Sequence, residues 1–370
     1  MAVGRRKFRK TSSVSAAWAC QKNPRSRQKN QLKNQPKNQL RRPEMEFGLS
    51  QDQLMLGDSV RKFLASEVPL DKVRQLAAGE ADDSSVWQGL ADMGLAGLII
   101  PEAHGGAELG MLDAVAIAEA LGYAACPGPF LSTAIMSAYL LNAAGATDPL
   151  AGMASGEYRV GIAFSDVIGA RKGQVTEADS KLTGQSLFAL DATADAYLIG
   201  LSDGRVFMIE ASEVTRSSLS TIDVTQSVCE LSFDQSPACL VSSDPELVWQ
   251  TIYRGRAIQA ADTLGAAQYM LDQAVAYSLD RKQFNRVIGS FQAVKHMCAE
   301  MASQLEPCRA FAWYAGHAFD ESTDDAALTA CHAKAHLAEV GQFVAKTSTE
   351  VHGGMGFTDL VGLHYWFKRI

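Results

Sequence analysis

The order of local periodicities constrains this chain most. From Met45 to about Ser155 apolar residues recur at helical spacing, from 156 to 241 short β-type segments alternate with turn residues, and from Asp244 onward helical spacing returns. Strands that do not alternate with helices cannot build βαβ units, so a doubly wound parallel sheet is excluded and an α+β chain with segregated parts is expected. The predicted organisation is a disordered basic extension over 1–44, a helical domain over 45–155, a β-domain over 156–241 and a helical bundle over 242–370.

Within the first helical part, Leu54, Leu56, Val60, Phe63, Leu64 and Val68 form one stripe, which Pro69 stops. Val86 to Met93, Met111 to Gly122 and Leu131 to Ala144 read as further helices. Segments beginning at Arg159, Lys181, Ala196, Arg205 and Glu230 read as strands of a small barrel or sandwich. Asp244-Pro245-Glu246 is a helix start: an Asp side chain to accept from free amides, a Pro at the first position and an acid in the first turn. Long helices are predicted from there to about Asp280, from Ser290, and from Ala326 to about Thr349, with Met270, Met301 and Trp313 on core stripes.

Charge narrows the function. The net charge of −7 conceals 13 Lys and Arg against one acid in residues 1–44, leaving 21 bases and 40 acids in the rest. An acidic body repels polyanions, so no nucleic-acid partner is expected. Apolar runs such as Leu95 to Pro101 fall far short of the ~18 residues of a membrane span. Seven scattered cysteines without a Cys-x-x-Cys pair point to a reducing compartment, hence a cytoplasmic protein, and to no disulfide framework. His332 and His336 lie four apart but lack a third ligand at matching spacing, so no metal site is expected.

Three segments carry chemistry. Met93-Gly-Leu-Ala-Gly-Leu-Ile-Ile-Pro-Glu-Ala-His-Gly-Gly-Ala-Glu-Leu-Gly-Met-Leu-Asp113 demands a tight, glycine-dependent backbone between helices. Arg281-Lys-Gln-Phe-Asn-Arg-Val-Ile-Gly-Ser-Phe-Gln-Ala-Val-Lys-His296 places a guanidinium beside a helix start, a combination suited to a diphosphate, with aromatic rings to cover a planar group. Glu350-Val-His-Gly-Gly-Met-Gly-Phe-Thr358 ends a helix in glycines and lets backbone approach a ligand. No Gly-x-Gly-x-x-Gly follows a strand, so a Rossmann site has no support.

Together, in this order and spacing, the three segments resemble the acyl-CoA dehydrogenase family over essentially all of 45–370. The resemblance implies an N-terminal helical domain, a central β-barrel or sandwich and a C-terminal four-helix bundle, with FAD bound between subunits of a dimer or tetramer. It implies α,β-dehydrogenation of an acyl-CoA thioester, of fatty-acid or bulky steroid side-chain type, with an electron-transfer flavoprotein as acceptor. Arg281, Phe284 and Gln292 correspond to diphosphate and adenosine contacts, and Glu350, Gly353 and Gly354 to the glycine-rich segment that reaches a neighbour's FAD.

The catalytic base departs from the family pattern. One branch carries a Glu on the first C-terminal helix, and the matching position here is Gly255, followed by Arg256. The other branch carries it on a loop that would fall beyond residue 370. Asp262, on the same helix face as Gly255, is the expected substitute, with Asp359 a weaker candidate. The family's Thr-Glu-Pro-x-x-Gly-Ser-Asp loop is replaced by Ala163-Phe-Ser-Asp166, and its usual Gln by Glu350. These departures leave two expectations open, an independent dehydrogenase or a non-catalytic partner subunit that completes a heteromeric FAD site.

Overall fold

The computed structural model describes residues 48–169 and 174–370, so the basic extension 1–44 lies outside the described residues. Helix α1 (Gln51–Glu67) begins in a capping box. Ser50 Oγ accepts from the Gln53 amide at 3.2 Å, and Gln53 Oε1 accepts from the Ser50 amide at 2.9 Å. Pro69 ends that helix and also opens α2 (Leu70–Ala77), because a proline tolerated at a helix start costs no backbone bond there. α3 (Ser84–Asp92) and α4 (Met111–Tyr123) follow. The predicted fourth helix is instead a π-helical segment, Phe130–Ser137, continued by α5 (Ala138–Ala143), and α6 (Leu150–Ala154) comes after it.

α4 is apolar nearly all round and is buried accordingly. Its start is capped from afar, where the Asp320 carboxylate accepts from the amides of Met111 at 2.6 Å and Leu112 at 2.9 Å. One polar chain crosses this core. Glu119 pairs with Arg309, Arg309 Nη2 donates to Gln268 Oε1 at 3.0 Å, Gln268 donates to Asp272 at 2.9 Å, and Tyr123 OH donates to the other Asp272 oxygen at 3.0 Å. Each member has a partner, as burial requires.

After β1 (Val160–Ala163) and a short α7 (Ser165–Ile168) come seven more strands: β2 (Thr176–Ala178), β3 (Lys181–Leu190), β4 (Ala196–Gly200), β5 (Val206–Glu210), β6 (Thr215–Ser218), β7 (Val228–Pro237) and β8 (Cys239–Ser242). They join one sheet in the order β6-β7-β3-β1-β4-β5-β8, with β2 beside β3. The β1–β4 pair is parallel, with Val160 opposite Ala196, and the others are antiparallel. Phe207 and Ile209 of β5 share a core with Cys229, Leu231 and Phe233 of β7, although three strands separate them. That sharing requires the sheet to curl around its own interior. The outer face, with Val160, Ile162 and Leu198, packs on Met136, Leu140, Leu141, Val248 and Ile252 of the helices.

The C-terminal part is three long helices, α8 (Pro245–Asp280), α9 (Gln292–Asp320) and α10 (Ala326–His352), with a short α11 (Leu363–Arg369) as the fourth. The Asp244 side chain accepts from the Glu246 amide at 3.0 Å, so this start was legible in the sequence. Met270 and Met301 are fully buried and Trp313 packs against the same core. Between α8 and α9 lies a hairpin, β9 (Lys282–Gln283) and β10 (Arg286–Val287), whose turn residues Phe284 and Asn285 both take positive φ.

Candidate functional site

A cavity of about 230 Å³ lies where the helical parts meet the sheet. Its apolar wall comes from Ala118 and Leu121 of α4, the 126–131 segment and Ile258 of α8. Its polar wall comes from Asp191 at the end of β3, the 223–227 loop, Gln259 and Asp262 of α8, Lys334 of α10 and Arg369 of α11. Burial pushes the Cys126 thiol up to about 12, so this cysteine is a neutral part of the apolar wall.

Asp262 sits in this cavity, but it is not free. Arg369 Nε donates to Oδ1 at 2.8 Å and Arg369 Nη2 donates to Oδ2 at 2.7 Å, a fork-to-carboxylate pair whose arginine side chain is only 5% exposed. Arg369 Nη1 also donates to Thr225 Oγ1 at 2.8 Å, and the Gln226 side-chain oxygen accepts from Arg369 Nη1 at 2.7 Å and Nη2 at 2.9 Å. The guanidinium is held above its ordinary pKa against its own burial chiefly by Asp262, and Asp223 adds to this. Both carboxylate oxygens are thus occupied by the guanidinium fork, which engages the group in a structural pair rather than leaving it open to a substrate. The role expected of Asp262 is therefore at odds with its surroundings.

Gly255 lies one face-repeat earlier on α8 and is buried. A Cβ there would stand 2.9 Å from Met136 Sδ, so a methionine from the π-helical segment occupies the space of a side chain at the family's base position. Arg256 turns away, donating to Cys331 Sγ at 3.0 Å. Asp359 is exposed, 3.7 Å from His364, and is not among the cavity residues.

The other six candidates gather at one end of the bundle. Tyr277 of α8 stacks on His352 of α10 at 4.6 Å, which brings the hairpin after α8 and the glycine turn after α10 to the same end. Arg281 closes α8, Phe284 is 87% exposed at the hairpin tip, and Gln292 opens α9. Glu350 precedes Gly353, whose φ of 58° ends α10, and no atom crowds a Cβ at Gly353 or Gly354. All six are exposed in the single chain. Arg286 lies 4.0 Å over the Phe291 ring, which Phe284 meets edge-on at 6.1 Å.

The first motif proves architectural. Gly105 has φ 80°, and a Cβ at Gly106 would collide with the Ile100 carbonyl. The chain thereby folds back so that the amides of Ala107, Glu108 and Leu109 donate to Gly97, Ile100 and Leu98 at 2.9 Å. His332 and His336 lie exposed on α10. Arg369, Lys334, Asp191 and Met136 were missed in the sequence. They come from four separate segments and belong to no motif, so only contact brings them together.

Two family models match this chain: the acyl-CoA dehydrogenase N-terminal domain over residues 50–156 and the acyl-CoA dehydrogenase C-terminal domain over residues 246–370. Acyl-CoA dehydrogenase FadE34 of Mycobacterium tuberculosis is 28% identical over 80% of this chain, which spans 41% of that protein's length. A variant of the Tcur3481–Tcur3483 steroid ACAD superposes with a TM-score of 0.77 and 26% identity, over 86% of this chain and 91% of that one. The ChsE4–ChsE5 complex from Mycobacterium tuberculosis superposes with a TM-score of 0.78 and 25% identity, over 88% and 93%. With both terminal domains matched and the helix–sheet–helix architecture in place, the chain belongs to the acyl-CoA dehydrogenase family of FAD-dependent oxidoreductases.

Proposed function

We propose that this chain serves α,β-dehydrogenation of an acyl-CoA thioester as one subunit of a heteromeric dehydrogenase, with the α-proton removed by a carboxylate of a paralogous partner. The observation that carries this reading is the Asp262–Arg369 pair, which occupies the carboxylate that would otherwise act as base. Gly255, with Met136 packed over it, supports the same reading. The likeness to the steroid ACAD and to the ChsE4–ChsE5 complex supports a bulky acyl group of the fatty-acid or steroid side-chain class and a dimer or tetramer of unlike chains. An electron-transfer flavoprotein is the proposed acceptor.

The residues at the bundle end fit FAD. No side chain caps α9, so the first-turn amides remain available to an anion, and Arg281, Lys282 and Arg286 at the preceding hairpin carry three positive charges against the one negative charge of the exposed Glu350. Arg281 and the α9 amides would hold the diphosphate, Gln292 would donate its amide and Phe284 would cover the adenosine plane. Gly353 and Gly354 would let backbone approach the FAD of the neighbouring subunit. When bound, FAD accepts the β-hydrogen as hydride. The task left to this chain is to orient and exclude water, which the cavity between α4, α8 and the sheet supports.

Purification alone and after co-expression with the nearest paralogue, read by visible absorption and acyl-CoA turnover, tests this. Flavin absorbance and turnover are expected only in the co-expressed complex. Turnover by the chain alone, abolished by Asp262→Asn, would sink the partner reading and restore Asp262 as base. A gain-of-function test complements it. In a complex whose partner base is removed, Gly255→Glu with Met136→Ala is expected to restore about 10²-fold of rate, the lower range for a positioned general base. No recovery, with flavin still bound, would show that position 255 does not face the substrate.

A further inference from the structure

Of the two cations on the cavity wall, Arg369 is paired with Asp262, whereas Lys334 makes no hydrogen bond or ion pair among the described residues. Lys334 lies half-buried on α10. Burial holds its ammonium below the ordinary lysine value even though Asp262 pulls the other way. The neighbouring acids are already engaged. Asp262 is held on both oxygens by Arg369. Asp223 Oδ1 accepts from the Thr225 amide at 2.9 Å and from its hydroxyl at 2.6 Å, and Asp223 adds to the field that keeps Arg369 charged. Asp191 accepts on Oδ1 from the Thr193 amide at 3.0 Å and hydroxyl at 2.7 Å. Its Oδ2 is buried without a partner, and burial drives it toward the neutral acid.

An ammonium in a cavity with a long apolar wall and engaged acids is complementary to a ligand with an apolar body and one anionic end. We propose that this cavity binds a carboxylate-bearing apolar group with its carboxylate on Lys334, so that the acyl chain this subunit receives ends in a carboxylate. The binding site stands on the cavity alone; its use for an acyl substrate rests on the dehydrogenase reading above. Lys334 is then the residue that selects the far end of the chain, because a neutral terminus would leave the ammonium desolvated and unpaired.

Calorimetric titration of the full-length chain, alone and in its complex, with octanoate and with octanol tests this without flavin or turnover. Octanoate is expected to bind at least tenfold more tightly than octanol. Lys334→Met should bring the two to parity while raising the Tm of the ligand-free protein, since an unpaired, half-buried charge is removed. Lys334→Arg should keep the preference for the anion. Equal affinity for the two ligands on the unsubstituted chain overturns the proposal, and that comparison needs no variant. An octanoate preference that survives Lys334→Met overturns it too, by placing the anion elsewhere. A complex that turns over octanoyl-CoA and rejects the ω-carboxylated eight-carbon thioester would leave the dehydrogenase reading intact and this inference wrong. Octanoate held on Lys334 in a protein that never takes up flavin would do the reverse.

Discussion

Arg369→Met is expected to lower the unfolding free energy by about 3–5 kcal/mol, the usual cost of breaking a buried ion pair from one side. The loss arises because Asp262 stays behind as a mostly buried charge without its ion-pair partner, and Thr225 and Gln226 lose their shared partner. Asp262→Leu combined with Arg369→Met should recover most of the stability, since an apolar pair of similar volume carries no desolvation penalty. Urea unfolding of both variants at neutral pH decides the matter. A single substitution costing under about 1 kcal/mol, or a double no better than the single, would mean that the pair is solvated and that Asp262 is free to act as a base. The stability experiment therefore bears directly on which subunit holds the catalytic carboxylate.

Gly265→Ala is expected to destabilise by about 3 kcal/mol, the upper range for overpacking. Helix propensity alone gives the opposite sign, since alanine is favoured over glycine in a helix interior by ~1 kcal/mol. Packing wins because α4 and α8 cross at this point with their backbones in contact. A Cβ on Gly265 would collide with the Glu119 carbonyl, and one on Gly122 with the Asp262 carbonyl. Backbone cannot rotate out of the way as a side chain can, so the helices must separate, and the cavity wall they share would move with them. Gly57→Ala is the control, in α1, where the nearest atom to a new Cβ is Arg61 Nη1 at 3.7 Å. It should stabilise by ~0.5–1 kcal/mol. Thermal unfolding of the two variants separates the mechanisms, and a stabilised Gly265→Ala would show that the crossing is looser than its geometry.

Much of the fold follows from features that act over a few residues. The Asp244 cap, the hydrophobic stripe of α9 and the short apolar strands β1, β3, β4, β5 and β7 all declare themselves, because their bonds and apolar residues are set by near neighbours in the chain. The two turns that hold the cofactor candidates were also legible, since a basic hairpin at a helix start and a glycine-rich helix end are each built from contiguous residues. The π-helical segment was not legible. Its Phe130–Ser137 run is as apolar as any buried helix, and only the docking of Thr133 and Ser137 on the Val160 carbonyl distinguishes it. Short α2, α6 and α7 escaped for a related reason, since a single turn or two leaves too little periodicity to recognise.

The architecture, the two turns that carry the cofactor candidates and the missing side chain at Gly255 are written in neighbouring residues whose physics is local. The pairing of Asp262 depends on folding, because its partner lies 107 positions away in a helix of seven residues. Folding also brings Met136 over Gly255 and sets Lys334 on the cavity wall with no hydrogen bond or ion pair among the described residues. A carboxylate's chemistry is set by the charges and donors within a few ångströms of it, and those distances exist only once the chain has folded.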